Sequence, residues 1–531
     1  MTSLAHYGNM SRRSLVPDPP TLPRWVGVPT FCSASTERQT SVAGMAARFK
    51  PFLKHITLDA TMAKKLLLIN PADSAKLNAS AVHAFTLPPP SLAYLAGLTP
   101  ADWDVRLIDE NVEHLTFEDA DLVGITAMTS SAPRAYEISE QYRQKGTKTV
   151  MGGVHASMLP DEAVQYVDSV VIGEAESVWQ TLLRDFENNE LKQLYRGERI
   201  SLEKLVWPRN DIYSDRYRFK ASVQTARGCP MDCEFCSVSA FHGRMYRQRP
   251  TEEVLDEIEA LDCEKFFFSD DNFLGYSKAA EERAIRLFQG MKERGLNKRW
   301  VSQVGIDFTN NLEVLKWAQI AGCYAVLIGF ESINDESLEG MHKVRNLKIG
   351  VRNYKEVIKR IHDHGIRIDG AFVFGNDGDR KDVFERTTKF ILDTKIDAAQ
   401  LTILTPLPGT RLYERLRSEG RLLRTNCPHD WKHYDLFEAV FRPKHMSPDE
   451  LEEGVGQVYE RVASRVTSLR RALDLLVQTK SLDLEGAVFI YQWNRGYRSF
   501  WIRNYRSRNS AVASGAKDSP PSYSAMDGKG S

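Results

Sequence analysis

From Met62 onward, short apolar runs alternate with stretches patterned at helical spacing. Leu66 to Ile69 is the first run, and Asn70-Pro71 stops it. Val105 to Ile108, Leu122 to Thr126, Thr149 to Met151 and Ser169 to Ile172 repeat the pattern. Helical stretches such as Pro133 to Lys145 and Ala175 to Glu187 lie between them. Runs apolar on both faces, alternating with helices, predict a parallel, doubly wound α/β sheet. Ligands of such sheets bind beyond the carboxyl ends of the strands. Those ends carry Asn70-Pro71, Thr126 to Ser131, Gly152-Gly153-Val154-His155 and Gly173-Glu174-Ala175-Glu176.

A polar, aromatic connector precedes a second alternating series. Its expected strands are Ser222–Ala226, Lys265–Phe268, Trp300–Val304, Ala325–Phe330, Arg367–Phe374 and Ala399–Leu404. Helices are expected around Thr251–Leu261, Lys278–Glu293, Leu312–Ala321, Val351–His364 and Arg380–Thr394. Six β/α units predict a partial, TIM-like (β/α)6 barrel with its chemistry at the C-terminal strand ends. The expected organisation is an extension without fixed structure over 1–61, a doubly wound domain over 62–193 and a connector over 194–219. The barrel follows over 220–442, then a helical C-terminal region over 443–507 and a Ser/Gly/Pro-rich tail without fixed structure over 508–531.

Composition narrows the classes. A chain of 531 residues is long enough for two to four domains, and 42% hydrophobic with 26% charged residues suits a buried core. Seventy basic residues balance seventy acidic ones, which argues against nucleic acid as a partner. No apolar run approaches the ~20 residues that span a bilayer. The first sixty residues are rich in Ser, Thr, Pro and Arg, a composition compatible with a transit peptide, although an unstructured extension or an early start is favoured.

Seven cysteines are too few for a disulfide framework in so long a chain, and three of them crowd into eight positions. That points to a metal site in a reducing compartment, and the expected location is cytoplasmic. Residues 227–236 read Arg-Gly-Cys-Pro-Met-Asp-Cys-Glu-Phe-Cys, directly after the first strand of the second series. Cubane clusters usually take four thiolates. Cys229, Cys233 and Cys236 supply three on one short loop, leaving the fourth iron open to a non-protein ligand. Gly228 and Pro230 suit a tight loop. The competing reading is a structural zinc site completed by His242. Cys32, Cys263, Cys323 and Cys427 are isolated.

This C-x3-C-x2-C loop on such a barrel resembles the radical S-adenosylmethionine (SAM) superfamily. The resemblance implies a [4Fe–4S] cluster whose open iron binds SAM and splits it to a 5′-deoxyadenosyl radical. It further implies that Asp270 and Asp271, ending the second barrel strand, lie near the SAM amino group. Glu331 and Ser332, ending the fourth, would meet the ribose, and Gly370 in the fifth would lie near the adenine. Thr405 to Thr410 looks like the pocket rim of larger members. The region from about Lys64 to Asn188 resembles the cobalamin-binding domain that precedes the barrel in one subgroup. That likeness rests on Pro88 to Leu92, Gly152 to His155 and Gly173 to Glu176. Gly152, Gly153, Gly173 and Glu174 would border the corrin, with Thr126, Thr129 and Ser130 as donors to its side groups. The Asp-x-His-x-x-Gly loop that gives cobalt a histidine elsewhere is absent, so His155 is expected to be a structural or corrin-edge residue.

The resemblance implies radical C-methylation at an unactivated carbon of a small molecule or lipid. It also implies a reducing electron donor such as flavodoxin or ferredoxin. The alternatives are an oxygen-independent cyclase using the same cofactors and, further off, a non-catalytic corrinoid-binding protein. The segment from Phe489 to Arg508 mixes aromatic residues with arginines. It reads either as a helix packed on the barrel mouth, the favoured option, or as one lying on a membrane surface.

Overall fold

The computed structural model describes residues 63–72, 87–478 and 484–513. The 1–61 extension, the tail beyond residue 513 and Cys32 lie outside the described residues.

The first sheet contains β1 (Lys64–Asn70), β2 (Trp103–Asp109), β3 (Leu122–Thr126), β4 (Lys148–Gly152), β5 (Ser169–Gly173) and β6 (Leu194–Gly197). Its order is β2-β1-β3-β4-β5-β6, and every pairing is parallel. Strand β6 corrects the expected boundary at residue 194. The connector begins by adding an edge strand, because Tyr195 is buried beside Leu182 and Leu183 while its hydroxyl donates to Asp185 (2.7 Å). Alternate residues of β1 serve opposite faces. Leu67 and Ile69 join the core covered by helix Ala132–Gln144, whereas Leu66 and Leu68 join Leu92 and Trp179 on the other side. Two buried faces explain the unbroken apolar run.

The second sheet is built from β7 (Ser222–Val223), β10 (Lys265–Phe268), β11 (Arg299–Val304), β12 (Cys323–Glu331), β13 (Arg367–Phe374) and β14 (Ala398–Ile403). Its parallel order, β14-β13-β12-β11-β10-β7, is that of an open six-stranded barrel. The expected first strand is split. After Val223 the chain turns, and β8 (Ala226–Arg227) leaves the barrel to pair antiparallel with β9 (Arg247–Gln248). The core between strands and outer helices includes an aromatic group in which Phe273, Phe288 and Trp300 stack and Phe268 meets Trp300 edge-on.

The C-terminal region forms helices Pro448–Val462, Arg465–Gln478 and Leu484–Ala513. The last of these runs past the expected end at residue 507, since no glycine or proline falls between residue 507 and Gly515. Phe489 and Trp493 do not meet the barrel mouth. Phe489 and Trp493 pack with Phe267, Val301, Tyr324 and Ala398, residues toward the N-terminal ends of the strands, and so close the barrel floor. Trp501 is buried against Tyr459. These rings are therefore not available to a membrane surface.

Asp369 sits at this floor. It accepts a hydrogen bond from the Tyr497 hydroxyl (2.7 Å), while its other oxygen is buried without a partner. Burial pushes its carboxyl up to about 7. The folded chain therefore holds a proton there between about pH 4 and 7 that the unfolded chain releases, so this group's contribution to stability falls as pH rises through that window. Asp369→Asn removes the charge at nearly constant shape. Its melting temperature, relative to wild type, is expected to rise from pH 5 to pH 8, and a flat difference would show that Asp369 carries no such cost.

Candidate functional site

A cleft of about 400 Å³ lies where the C-terminal ends of the two sheets meet. One wall comes from the first domain: Thr126, Gly152, Gly153, Gly173 and Glu174, with Leu92, Tyr94 and Leu95. The other comes from the barrel: Gln224, Arg227, Ser237, Val238, Phe241, His242, Ser269 and Asp271. Gly153 adopts φ 95°, and a Cβ there would lie 2.7 Å from Thr126 Oγ1. The backbone can approach a ligand at that point only because the residue is glycine.

The cysteine loop is fixed from below. Asp270 is buried, and its carboxylate accepts from the Thr225 N–H (2.6 Å), the Thr225 hydroxyl (2.5 Å) and the Ala226 N–H (3.1 Å). Burial pushes its carboxyl up to about 6 despite those bonds. The next carboxylate, Asp271, accepts from Gly228 N (2.9 Å). At Gly228, φ is 86° and a Cβ would meet the Met245 carbonyl oxygen at 2.2 Å, so glycine is required where the loop begins.

Cys229, Cys233 and Cys236 are free thiols, each partly exposed. Burial pushes the Cys229 and Cys233 thiols up to about 11 and raises that of Cys236. Backbone N–H groups of Val238 and Ser239 face Cys236, and that of Met231 faces Cys229. Lys343 adds positive potential at all three sulfurs. Three sulfurs on one glycine-hinged loop, supplied with backbone donors and a nearby cation, fit an anionic iron–sulfur cluster. The zinc reading is not supported by this placement. His242 sits 3.4 Å from Glu174, beside the ion pairs that Glu174 makes with Arg247 and Arg227.

The first domain grips this loop directly. Glu174 contacts Arg247 through both carboxylate oxygens, lies 3.4 Å from Arg227 and accepts from Ile200 N (3.2 Å). Glu176 pairs with Arg227 at 2.5 Å. Burial alone would raise the Glu174 carboxyl, but His242, Arg247 and Arg227 hold it well below the usual carboxylate range. Since Arg227 immediately precedes Gly228 and Cys229, two acids of the first domain set where the thiols stand.

The fourth barrel strand ends in a bulge, with a register shift between Gly329 and Glu331 and φ 62° at Glu331. This re-aims the Glu331 carboxylate onto Lys343 Nζ (2.8 Å). Burial works against the Lys343 ammonium, yet Glu331 and the neighbouring Cys233 keep it charged. Ser332 caps the following turn by accepting from Asn334 N (3.0 Å).

Some expected contacts lie elsewhere. Asp270 does not line the cleft, because its oxygens are taken by the loop backbone. A Cβ on Gly370 would point at Phe330 and Ile396, so this glycine packs in the outer core rather than toward the barrel interior. His155 is fully buried, with Tyr136 at 3.1 Å, Glu162 at 3.2 Å and Thr129 at 3.4 Å, and its ring meets Trp431 edge-on. It sits within a buried polar network to which Thr129 belongs. Ser130, like Thr129, does not border the cleft. Lys343, Arg247 and Glu176 went unrecognised as site residues. Lys343 and Arg247 are far from the cysteines in sequence and belong to no motif, whereas Glu176 lies within the Gly173 to Glu176 motif but carried no expected role of its own.

The chain matches the B12 binding domain over residues 79–183 and the Radical SAM superfamily over residues 223–387. It is 31% identical to bacteriochlorophyllide d C-12(1)-methyltransferase of Chlorobaculum tepidum, over 79% of this chain and 92% of that protein. To the C-8(2)-methyltransferase of the same organism it is 29% identical, over 80% and 96%. Among solved structures, TsrM from Kitasatospora setae with cobalamin and a [4Fe–4S] cluster bound superposes with a TM-score of 0.59 at 16% identity. That match covers 82% of this chain and all of TsrM. With a corrinoid-type domain and a three-cysteine barrel sharing one cleft, the chain belongs to the radical SAM enzymes that carry a B12-binding domain.

Proposed function

We propose that this enzyme transfers a methyl group from SAM to an unactivated carbon of a small molecule or lipid. The observation that carries this reading is the cleft whose one wall is formed by residues flanking the cysteine loop, Arg227 before it and Ser237 to His242 after it, and whose other wall is the glycine-lined strand ends of the first domain. When bound, the cluster supplies the electron that splits one SAM and cobalamin carries the methyl group of another. The chain's own part is positioning and exclusion of water. Asp270 and Asp271 hold Thr225 to Gly228, while Glu174 and Glu176 hold Arg227 and Arg247. Leu92, Leu95, Val150, Val171 and Phe241 make the cleft walls largely apolar, which keeps water from quenching a carbon radical. Glu331 and Lys343, whose charges both act on the Cys233 thiol, offer a carboxylate and an ammonium to the polar groups of SAM. A low-potential donor such as a flavodoxin or ferredoxin would supply the electron.

The test uses air-free, iron- and corrinoid-loaded enzyme with SAM deuterated in its methyl group. Methylation yields a product carrying the label, with S-adenosylhomocysteine and 5′-deoxyadenosine formed in equal amounts. A cyclase would release 5′-deoxyadenosine alone and leave the product unlabelled.

A further inference from the structure

Helices Arg465–Gln478 and Leu484–Ala513 pair through Ala472, Ala487, Ile490 and Tyr491. The side chains buried beneath them account for the floor of the barrel, but another face of the pair is left uncovered. Val466, Leu469, Leu473, Leu484 and Val488 are each more than half exposed, Val466 at 78%. Among the described residues only four other large apolar side chains, Met128, Met245, Leu312 and Val344, are so exposed, and these are scattered over the chain. At about 100° per residue, Val466, Leu469 and Leu473 fall on one stripe of their helix, and Leu484, Val488 and Tyr491 on one stripe of theirs.

The stripe is framed by cations. Arg465 and Arg470 lie about 70° to either side of its centre on the first helix, and Arg495 continues the second stripe beyond Tyr491. All three are exposed, and among the described residues none forms an ion pair. The nearby acids are already taken: Glu485 pairs with Lys265 and Arg299, and Asp474 with Lys395. Residues 465–513 hold nine Lys and Arg against three Asp and Glu, in a chain whose total charge is zero. An aliphatic strip rimmed by guanidinium groups that have no carboxylate partner among the described residues matches the boundary between acyl chains and anionic headgroups. Among the described residues no helix is long and apolar enough to cross a membrane, and an apolar stripe along one side of a helix pair suits a helix lying in the interface plane.

We propose that the face bearing Val466, Leu469, Leu473, Leu484 and Val488 docks this enzyme on an anionic lipid surface, with Arg465, Arg470 and Arg495 meeting the headgroups. The attachment uses aliphatic side chains, since Phe489 and Trp493 of the same helix are committed to the barrel floor. It is independent of which substrate the cleft accepts.

Co-sedimentation of the full-length, cluster-loaded chain with vesicles tests this. Wild type is expected to pellet with phosphatidylcholine containing about one-third phosphatidylglycerol and to stay in solution with phosphatidylcholine alone or in high salt. The double variant L469D/L484D, at exposed positions, is expected to lose binding while keeping its cluster absorbance. R465E/R470E should weaken binding at least about 20-fold, since each cation contributes roughly fivefold. The proposal is overturned if wild type fails to pellet with anionic vesicles or if L469D/L484D pellets equally well. It is also overturned if light scattering shows that the face instead joins two copies of the chain, with a dimer that L469D/L484D dissolves and no lipid binding.

Discussion

Cys233→Ala is expected to reduce SAM cleavage below detection, at least about a thousandfold under wild type, which corresponds to roughly 4 kcal/mol in the barrier. Two thiols on the loop would remain, but a cubane anchored at two corners exposes two irons and is lost on purification. The same result is expected for Cys229→Ala and Cys236→Ala. The loop itself should survive, because Asp270 and Asp271 hold its first residues and Glu234 pairs with Arg415 (2.7 Å) at its far side. Far-ultraviolet circular dichroism and melting temperature of the metal-free proteins should therefore match wild type, while iron content after reconstitution falls from about four per chain. A Cys233→Ala protein that still produced 5′-deoxyadenosine at a comparable rate would remove the cysteine loop from the reaction.

The second large effect is expected at Glu174. Its side chain is 4% exposed, and those of Arg227 and Arg247 are 6% and 13% exposed, so Glu174→Gln leaves buried guanidinium charge with only Glu176 to balance it. Breaking a buried pair from one side costs about 3–5 kcal/mol. Because the released arginine adjoins the cysteine loop, SAM cleavage should also fall, by about 100-fold for a displacement near 1 Å. Glu110→Gln separates the two consequences. It breaks a similarly buried pair with Arg134 (2.8 Å), neither member of which lines the cleft, so it should lower the urea midpoint while leaving turnover intact. If Glu174→Gln behaved like Glu110→Gln, the link between the first domain and the cysteine loop would be structural only.

The sequence made strands and helices legible where burial imposed a simple period. Runs such as Leu66 to Ile69 are apolar on both faces because each face meets a helix layer. Lys265–Phe268 and Arg367–Phe374 form the strands expected of them. Edge elements were harder to see. Strand β6 is short and half polar, and the split after Val223 depends on Asp270, 45 residues away, capturing Thr225. The cysteines were legible because ligand spacing is local. The charged residues around them were less so, since Lys343 and Arg247 reach the site through folding and only their final neighbours identify them. A carboxylate at a strand end can serve a ligand or the backbone, and Asp270 does the latter. The aromatic residues near the C-terminus gave the right segment and the wrong surface, because helical spacing does not say which stripe the barrel takes.

The central claim is that the cluster and the corrinoid occupy one cleft between the two domains. The most direct measurement is electron paramagnetic resonance of the air-free chain holding a reduced cluster together with cobalt(II) corrinoid. Mutual dipolar broadening of the two signals, weakened in Glu174→Gln, is the predicted result. Two sharp, independent signals, or no corrinoid retained at all, would contradict it.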